Sequence, residues 1–508
     1  MDRRVFLQSA LGLGSASLTW PGRRGIAREQ RTPGYFGLHP FIEAHPEAVF
    51  IRPTQVAAKG DSGAKRREAF ELARRIFIPG ETPGIGLAHK FAIKPNLTAT
   101  KDTGLTHAIV TDPYVVEGLI EGMRQVGVRG ENIYVREGLM TEQHGTGYSA
   151  MAQRQGVHYG DNDSRAPWSR ECPDGVVFRR TKYVGPFNYP DAHIINVSKL
   201  KTHEMGLTLC VKNLQGTNAQ PYIRFCSGLQ KAIARDFQPD AESHVDDLHS
   251  RHLRAGIPRW DAMKARWMEM WAQRTLDSYS LIRPSVLLNV IEGVYAQNGD
   301  GFDGGPGPSG LPEIFLTNLL IFGKDAFRVD ILGHWLAGHE PGNFGLFHIG
   351  KERGVSTALN PRNIPVYRWE DDGPKLVPLE QWARTPLATL YLPREEEARF
   401  HFCNEPYAYP AETPSACLSG GDVPGVRVLG QVHPGKPLAV EFNLPADADA
   451  SLEMFDAFGE RVGVLAQGWT RRGVHMVEWS TRRRAPGLYG CRLIADGLTR
   501  TAWMTLDV

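Results

Sequence analysis

The stretch Asp191–Gly216, DAHIINVSKLKTHEMGLTLCVKNLQG, decides how this chain is read. Its apolar run His193 to Val197 predicts a buried strand. The run opens into Lys199, Lys201, Thr202 and His203, and Lys212 with Asn213 follows shortly after. A buried strand that ends in ammonium, hydroxyl and imidazole groups is a poor way to build a core. It is a good way to build a pocket for an anion, because lysines supply charge while Thr202 and Asn213 supply directional hydrogen bonds.

Outward from this stretch, helical and strand patterns alternate. Ala64 to Ile78 is amphipathic, with Phe70, Ala73 and Phe77 on one stripe. Phe91 to Ile93 predicts a strand that stops at Lys94-Pro95-Asn96. Asp112-Pro113 predicts a helix start, with Asp as cap and Pro in the first turn, and Gly127 ends that helix. Further strands are expected at Ile133–Val135, stopping at Glu137, at Val286–Ile291, stopping at Glu292, and at Leu319–Phe322, stopping at Lys324-Asp325. Asp325 can cap a helix over Ala326–Ala337.

This rhythm predicts an α/β fold, a mostly parallel sheet with flanking helices in Rossmann-like layers. In such sheets ligands bind beyond the carboxyl ends of the strands. Five predicted strands end in polar groups: Lys94 with Asn96, Glu137, Lys199 with Lys201, Glu292, and Asp325. If all five are parallel, these side chains gather at one edge. The core domain is placed at 28–385, with 28–60 irregular and a helical insertion around 241–280. There Trp260, Met263, Trp267 and Trp271 recur at helical spacing and are expected to pack rather than to hold a cofactor.

The expected roles follow from chemistry. Lys94, Asn96, Lys199, Thr202 and Asn213 are candidates for binding an anion. His203, Lys201, Lys212, Glu137 and Glu292 are candidates for activating it; a His among cations stays neutral at pH 7 and can accept a proton. Asp325 and Asp330 are the candidates for a divalent metal bridging to the anion, although capping is the plainer role for Asp325. The cluster His244, Asp247, His249 and His252 reads first as a solvated polar helix face. The loop Asn298–Gly305 lacks the twelfth-position Glu of a calcium loop and the Gly-Lys-Ser/Thr ending of a phosphate loop. No Gly-x-Ser-x-Gly or His-Glu-x-x-His motif is present.

Beyond a Pro/Gly-rich linker at 386–425 the character changes. Val440, Phe442 and Leu444 alternate, and Phe458-Gly459, Arg472-Gly473 and Pro486-Gly487 mark turns. Short strands at this spacing predict a small all-β sandwich over 426–508. At the other end, Asp2-Arg3-Arg4-Val5-Phe6-Leu7 precedes a weakly apolar stretch from Ser9 to Trp20. This resembles a twin-arginine export signal over 1–27 and implies the twin-arginine translocase as a partner. The apolar part is shorter than the ~20 residues a bilayer span needs, and no membrane span is expected apart from an uncleaved signal.

The net charge of +2 comes from 58 basic and 56 acidic residues, which argues against a nucleic-acid partner. The six cysteines, Cys172, Cys210, Cys226, Cys403, Cys417 and Cys491, contain no Cys-x-x-Cys pair, so no iron–sulfur motif is present. Cys403 with Cys417 is the first pairing to test, and Cys210 reads as a buried small hydrophobe.

Several of these segments resemble the domain of unknown function 362 family: IKPNL at Ile93–Leu97, TDPYVVEGLIEGMRQVG at Thr111–Gly127, KLKTH with TLCVKNLQG, GDGFDGGPGPSG at Gly299–Gly310, and GKDAFRVDILGHWLAG at Gly323–Gly338. The resemblance implies an α/β core. Some members carry a four-cysteine iron–sulfur module, whose cysteines this chain lacks. The C-terminal pattern MFDAFGERVGVL, GVHMVEW and PGLYGCRL resembles the immunoglobulin-like modules of flagellar hook-capping proteins and some secretion-sorting domains. That implies a structural module facing a cell-surface or envelope partner. The expected protein is exported, periplasmic or at the cell surface, and binds and transforms a small anionic carboxylate or phosphate. The alternatives are a binding scaffold displayed through the sandwich, or a redox protein whose cofactor ligands are not evident.

Overall fold

The computed structural model describes residues 34–80, 85–97, 108–138, 145–160, 169–203, 205–220, 222, 231–257, 265–300, 304–389, 406–410, 425–429, 437–456, 460–482, 484–485, 487–495 and 498–506. The N-terminal segment 1–27, most of the 386–425 linker, Trp260, Met263, Cys226, Cys403 and Cys417 lie outside these residues.

The α/β unit is built on a ten-stranded mixed sheet. In chain order its strands are β1 (Val49–Pro53), β2 (Lys90–Pro95), β3 (Ile133–Val135), β4 (His158–Tyr159), β5 (Ala192–His203), β6 (Gly206–Thr208), β7 (Val286–Gln297), β8 (Ile314–Gly323), β9 (Val366–Glu370) and β10 (Gly373–Leu376). Across the sheet they run β10-β9-β1-β8-β7-β5-β2-β3-β4, with β6 folded back onto β5. The run β7-β5-β2-β3-β4 is parallel throughout. β8 is antiparallel to both of its neighbours, β7 and β1.

That antiparallel strand corrects one expectation. Gly323, the last residue of β8, lies opposite Asn289 near the start of β7. Asp325 therefore sits at the opposite edge of the sheet from the ends of β2, β3 and β5. The region 28–60, expected to be irregular, supplies β1 inside the sheet.

Helices cover both faces. α1 (Ser62–Ile76) and α2 (Pro113–Gln125) pack together on one side, and a Cβ on Gly118 of α2 would come within 2.3 Å of the Arg66 carbonyl. Asp112 caps α2, its Oδ1 accepting from the Tyr114 amide at 2.9 Å. On this face Ile195 and Val197 of β5 join Val116 and Leu119 in one core. On the other face Ile194 and Leu200 join Trp271 and Leu332 in a second. β5 alternates between the two cores because successive strand side chains point to opposite faces.

The insertion forms two helices, α5 (Ala241–Arg254) and α6 (Ala265–Ile282), numbered after α3 (Tyr148–Gln155) and α4 (Cys210–Asn213). Trp271 is buried in the second core and Trp267 packs against it, as a packing stripe requires. α7 (Ala326–Leu336) is capped by Asp325, which accepts from Phe327 and Arg328 amides at 2.9 and 3.2 Å.

The C-terminal unit is all-β. One antiparallel sheet joins β11 (Gly425–Leu429), β12 (Pro437–Leu444) and β15 (Gly473–Ser480); the other joins β14 (Arg461–Thr470), β13 (Ala448–Asp456), β16 (Gly487–Ala495) and β17 (Leu498–Leu506). Both contribute to one apolar interior, with Val440, Phe442 and Trp479 meeting Leu452, Met454 and Leu493. Among the described residues no helix is long and apolar enough to cross a membrane.

Candidate functional site

The sheet winds outward in two directions from the boundary between β2 and β5. From β2 the chain proceeds to β3 and β4 on one side; from β5 it proceeds to β7 on the other. Such a reversal leaves a crevice at the carboxyl ends of the two central strands. Here the crevice is accentuated by unequal lengths: Val197 pairs with Pro95, the last residue of β2, while β5 continues to His203. Lys199 and Lys201 are thus within the strand, beyond the end of its neighbour, rather than at a strand tip as expected.

On the face carrying α4, the Lys94 ammonium donates to Glu137 Oε2 at 2.6 Å, the Pro95 carbonyl at 2.7 Å and Asn213 Oδ1 at 3.1 Å. Both members of the pair are buried. Asn213 orders the group: its Nδ2 donates to the Lys94 carbonyl at 3.1 Å and to Asn196 Oδ1 at 2.8 Å, and its Oδ1 also accepts from Asn96 Nδ2 at 3.2 Å. That fixes the Asn96 amide and leaves its buried Oδ1 without a hydrogen-bond partner among the described residues. Burial pulls the Lys94 pKa down; Glu137 pulls it up and Lys212 pulls it down. Gly216 closes against this pair, for a Cβ there would lie 2.1 Å from Glu137 Oε1.

On the opposite face Lys199 donates to Glu292 Oε2 at 2.6 Å, again with both side chains buried. The same carboxylate accepts from the Asp112 amide at 3.2 Å and the Val294 amide at 3.0 Å. Asp112 pairs in turn with Lys65. Lys59, half-buried, belongs to this neighbourhood: burial and the charge of Lys199 lower its ammonium pKa to about 8.

Past both pairs, Lys201 lies opposite Thr208 of β6 on one side and Gln297 of β7 on the other. Residues directly opposite share a face, so the three side chains form one row. All three are buried. Gln297 Oε1 accepts from the Ala108 amide at 3.0 Å, which fixes the amide orientation and leaves Nε2 as a donor. Neither Gln297 Nε2 nor Thr208 Oγ1 has a hydrogen-bond partner among the described residues. Burial, with Lys212 and Lys199 nearby, holds the Lys201 pKa well below the usual ammonium range, against the pull of Glu137 and Asp300. Lys212 on α4 is the half-buried member of the group.

The segment Ala108–Asp112 spans this ground. Ala108 reaches Gln297, the Thr111 hydroxyl donates to the Val197 carbonyl at 2.9 Å, and the Thr111 amide donates to the Asn96 carbonyl at 2.9 Å. Tyr148 braces it from behind, its hydroxyl donating to the Thr111 carbonyl at 3.0 Å.

The structure thus brings Lys94, Asn96, Glu137, Lys199, Lys201, Lys212, Asn213 and Glu292 together around one notch. Thr202 serves the backbone instead: its hydroxyl donates to the Gly299 carbonyl at 2.9 Å and the Gln297 carbonyl at 3.3 Å. His203 ends β5, and its Nδ1 accepts from the Met205 amide at 3.3 Å. Asp330 also differs from expectation. Its two oxygens accept from the Cys210 and Val211 amides at 2.6 and 2.8 Å, capping α4, and burial pushes its carboxyl up to about 7. With Asp325 capping α7 at the far edge, the proposed metal pair is two helix caps. Among the described residues no group of three or more His, Cys, Asp or Glu side chains is arranged to hold a metal ion.

In the insertion, His252 is buried rather than solvated, bridging Glu269 at 2.7 Å and Glu352 at 2.8 Å. Cys172, Cys210 and Cys491 are buried free thiols. Thr208, Gln297, Asn196 and Lys59 were not singled out in the sequence. The one signal for Gln297 was the apolar alternation of Val294 and Ala296, which carries the strand past Glu292.

Residues 91–334, just under half of the chain, match the model of a family described as "Domain of unknown function (DUF362)". The match spans the strands and helices that build the notch. No curated protein matches the chain. Solved structures similar to parts of it include an uncharacterized protein from Bacillus anthracis str. Ames, 9% identical, covering 16% of this chain and 78% of that one at a TM-score of 0.14. The Ig1 domain of mouse SynCAM 2 is 15% identical, covering 17% and 96% at 0.13. The M1 domain from titin is 16% identical, covering 17% and 92% at 0.13.

Proposed function

We propose that the notch between β2 and β5 binds a small anion, a carboxylate or phosphate, and that the bound anion is a substrate. The observation that carries this reading is the row Thr208, Lys201 and Gln297. Two of its members are buried donors without hydrogen-bond partners among the described residues, and the third is an ammonium crowded by two others. An anion would supply acceptors to the donors and offset the mutual repulsion of the lysines, each a favourable change in a medium of low dielectric. Lys94–Glu137 and Lys199–Glu292 serve as the buried frame that holds the row in place. Lys212 and His203 handle charge and protons at its rim.

The reading extends to the whole chain. The arginine pair at Arg3-Arg4 supports export by the twin-arginine route to the periplasm or cell surface. The all-β unit, with its two antiparallel sheets, is read as an immunoglobulin-like module for display or attachment.

Calorimetric titration of the full chain with malonate and with inorganic phosphate tests the binding. Lys212→Ala and Gln297→Leu should each weaken the tighter of the two by roughly tenfold, the loss of one charge-assisted or buried hydrogen bond. Unchanged affinity in both variants overturns the reading. Following the ligand by NMR during incubation separates a substrate, which is consumed, from cargo of a binding scaffold, which is not.

A further inference from the structure

Four asparagines cross the sheet in a hydrogen-bonded file that ends at the notch. Asn289 of β7 lies opposite Asn196 of β5, and Asn196 lies opposite Lys94 of β2. Asn289 Nδ2 donates to the Lys324 carbonyl at 3.0 Å, and its Oδ1 accepts from Asn196 Nδ2 at 2.9 Å. Asn196 Oδ1 accepts from Asn213 Nδ2 at 2.8 Å, and Asn213 Oδ1 accepts from Asn96 Nδ2 at 3.2 Å. All four side chains are buried.

Main-chain carbonyls set the polarity of the file, because a carbonyl can only accept. The Lys324 carbonyl fixes Asn289, the Cys210 carbonyl fixes Asn196 at 3.0 Å, and the Lys94 carbonyl fixes Asn213 at 3.1 Å. Asn96 must therefore turn its Nδ2 to Asn213. The file terminates in Asn96 Oδ1, a buried acceptor with no hydrogen-bond partner among the described residues. Gln297 is fixed in the opposite sense: its Oε1 takes the Ala108 amide, so its unpartnered atom is the donor Nε2. One short segment holds the two residues together. Ala108 donates to Gln297, and three residues on the Thr111 amide donates to the Asn96 carbonyl. Three residues of chain reach about 11 Å at most, the scale of a small acid with its hydrogen bonds.

The notch thus offers a fixed acceptor as well as fixed donors. A plain carboxylate satisfies the donors and leaves the acceptor buried and unmet, which is costly. The group that meets it has to be uncharged, for an ammonium would stand beside Lys94, whose Nζ shares Asn213 Oδ1 with Asn96. A hydroxyl fits.

We propose that the notch takes a 2-hydroxy carboxylate, its hydroxyl donating to Asn96 Oδ1 and its carboxylate accepting from Gln297 Nε2 and Thr208 Oγ1. This rests on the anion-binding reading of the same site and names its substrate class. Asn96 is then the residue that selects a hydroxylated acid, since a site built to pair a hydroxyl rejects the analogue that lacks it.

Calorimetry of the full-length protein with malonate, 2-hydroxymalonate and methylmalonate tests it. As dianions the three share their carboxylates and differ only by H, OH or CH3 on the central carbon. We expect 2-hydroxymalonate to bind roughly tenfold more tightly than malonate, the value of one buried hydrogen bond. Methylmalonate should bind more weakly than malonate, because its methyl displaces water from the acceptor without replacing the hydrogen bond. In Asn96→Ala the preference for 2-hydroxymalonate over malonate should vanish. If that variant does not fold, the order of the three acids on the parent protein decides alone. Equal affinity of the parent for malonate and 2-hydroxymalonate, or a preference that persists in folded Asn96→Ala, overturns the proposal and leaves the anion site standing. Binding of inorganic phosphate but of none of the three acids does the same. If neither phosphate nor any of the acids binds, both readings fall together.

Discussion

Around β2 and β5 the α/β unit buries two lysine–carboxylate pairs and a third lysine, whereas the β unit of residues 425–506 fills its interior with Leu438, Val440, Phe442, Leu452, Met454 and Leu493. Both arrangements exclude water, but their energetics differ. Apolar burial stabilises in proportion to area. A buried ion pair barely recovers the cost of leaving water and stabilises less than well-packed apolar side chains of the same volume. The β unit therefore looks like an interior selected for stability. The notch looks like one in which stability is given up to hold charge where a ligand can use it.

That contrast can be broken at several points, beginning with the largest expected effect. Glu137→Ala strands the buried Lys94 ammonium and should cost about 3–5 kcal/mol of α/β-unit stability in denaturant titration. The pair of changes Lys94→Met with Glu137→Leu should recover most of that loss while abolishing anion binding. A double variant as unstable as the single would show that the pair is structural. In the β unit, Leu452→Ala should cost about 2–5 kcal/mol through a cavity. It should leave malonate affinity at the notch unchanged, and a changed affinity would deny that the two interiors are independent.

Gly216→Ala comes next. Its Cβ would lie 2.1 Å from Glu137 Oε1, so the Lys94–Glu137 pair must shift. A loss of about 1–3 kcal/mol is expected, together with weaker anion binding, measured on the same sample by denaturation and calorimetry.

The smallest effect concerns His252. Burial lowers its pKa, but Glu269 and Glu352 outweigh burial and leave it above the ordinary histidine value. The ring thus binds its proton more tightly in the folded state. Its contribution is full below the unfolded pKa of about 6.5 and is lost as pH rises through the folded value. The difference in thermal midpoint between the parent protein and His252→Gln should narrow from about pH 5 to pH 9. A difference that widens would reverse the sign of the coupling.

Much of this site was legible in the sequence because strand ends announce themselves: an apolar run halts at a charge. Lys94, Glu137, Lys199 and Glu292 were found that way. Direction and register were not legible, since an antiparallel strand carries the same apolar run as a parallel one. Asp325 was misplaced for that reason. Thr208 and Gln297 become neighbours of Lys201 only through pairing across β6, β5 and β7. Short strands were lost as well: β1 and β9 have five residues each and too few alternations to stand out. The caps at Asp112 and Asp325 were read correctly because capping is local chemistry. The cap Asp330 gives to α4 was missed because its partners are 119 and 120 residues away in sequence.

Anomalous diffraction from crystals of the full chain soaked in selenate would test the central claim most directly, because it locates an anion without assuming its role. A selenium peak that places selenate oxygens within hydrogen-bonding distance of Lys201 Nζ, Gln297 Nε2 and Thr208 Oγ1, absent in Lys201→Met crystals, is the predicted result. A fully soaked crystal with the notch empty, or with peaks only on surface arginines, would contradict it.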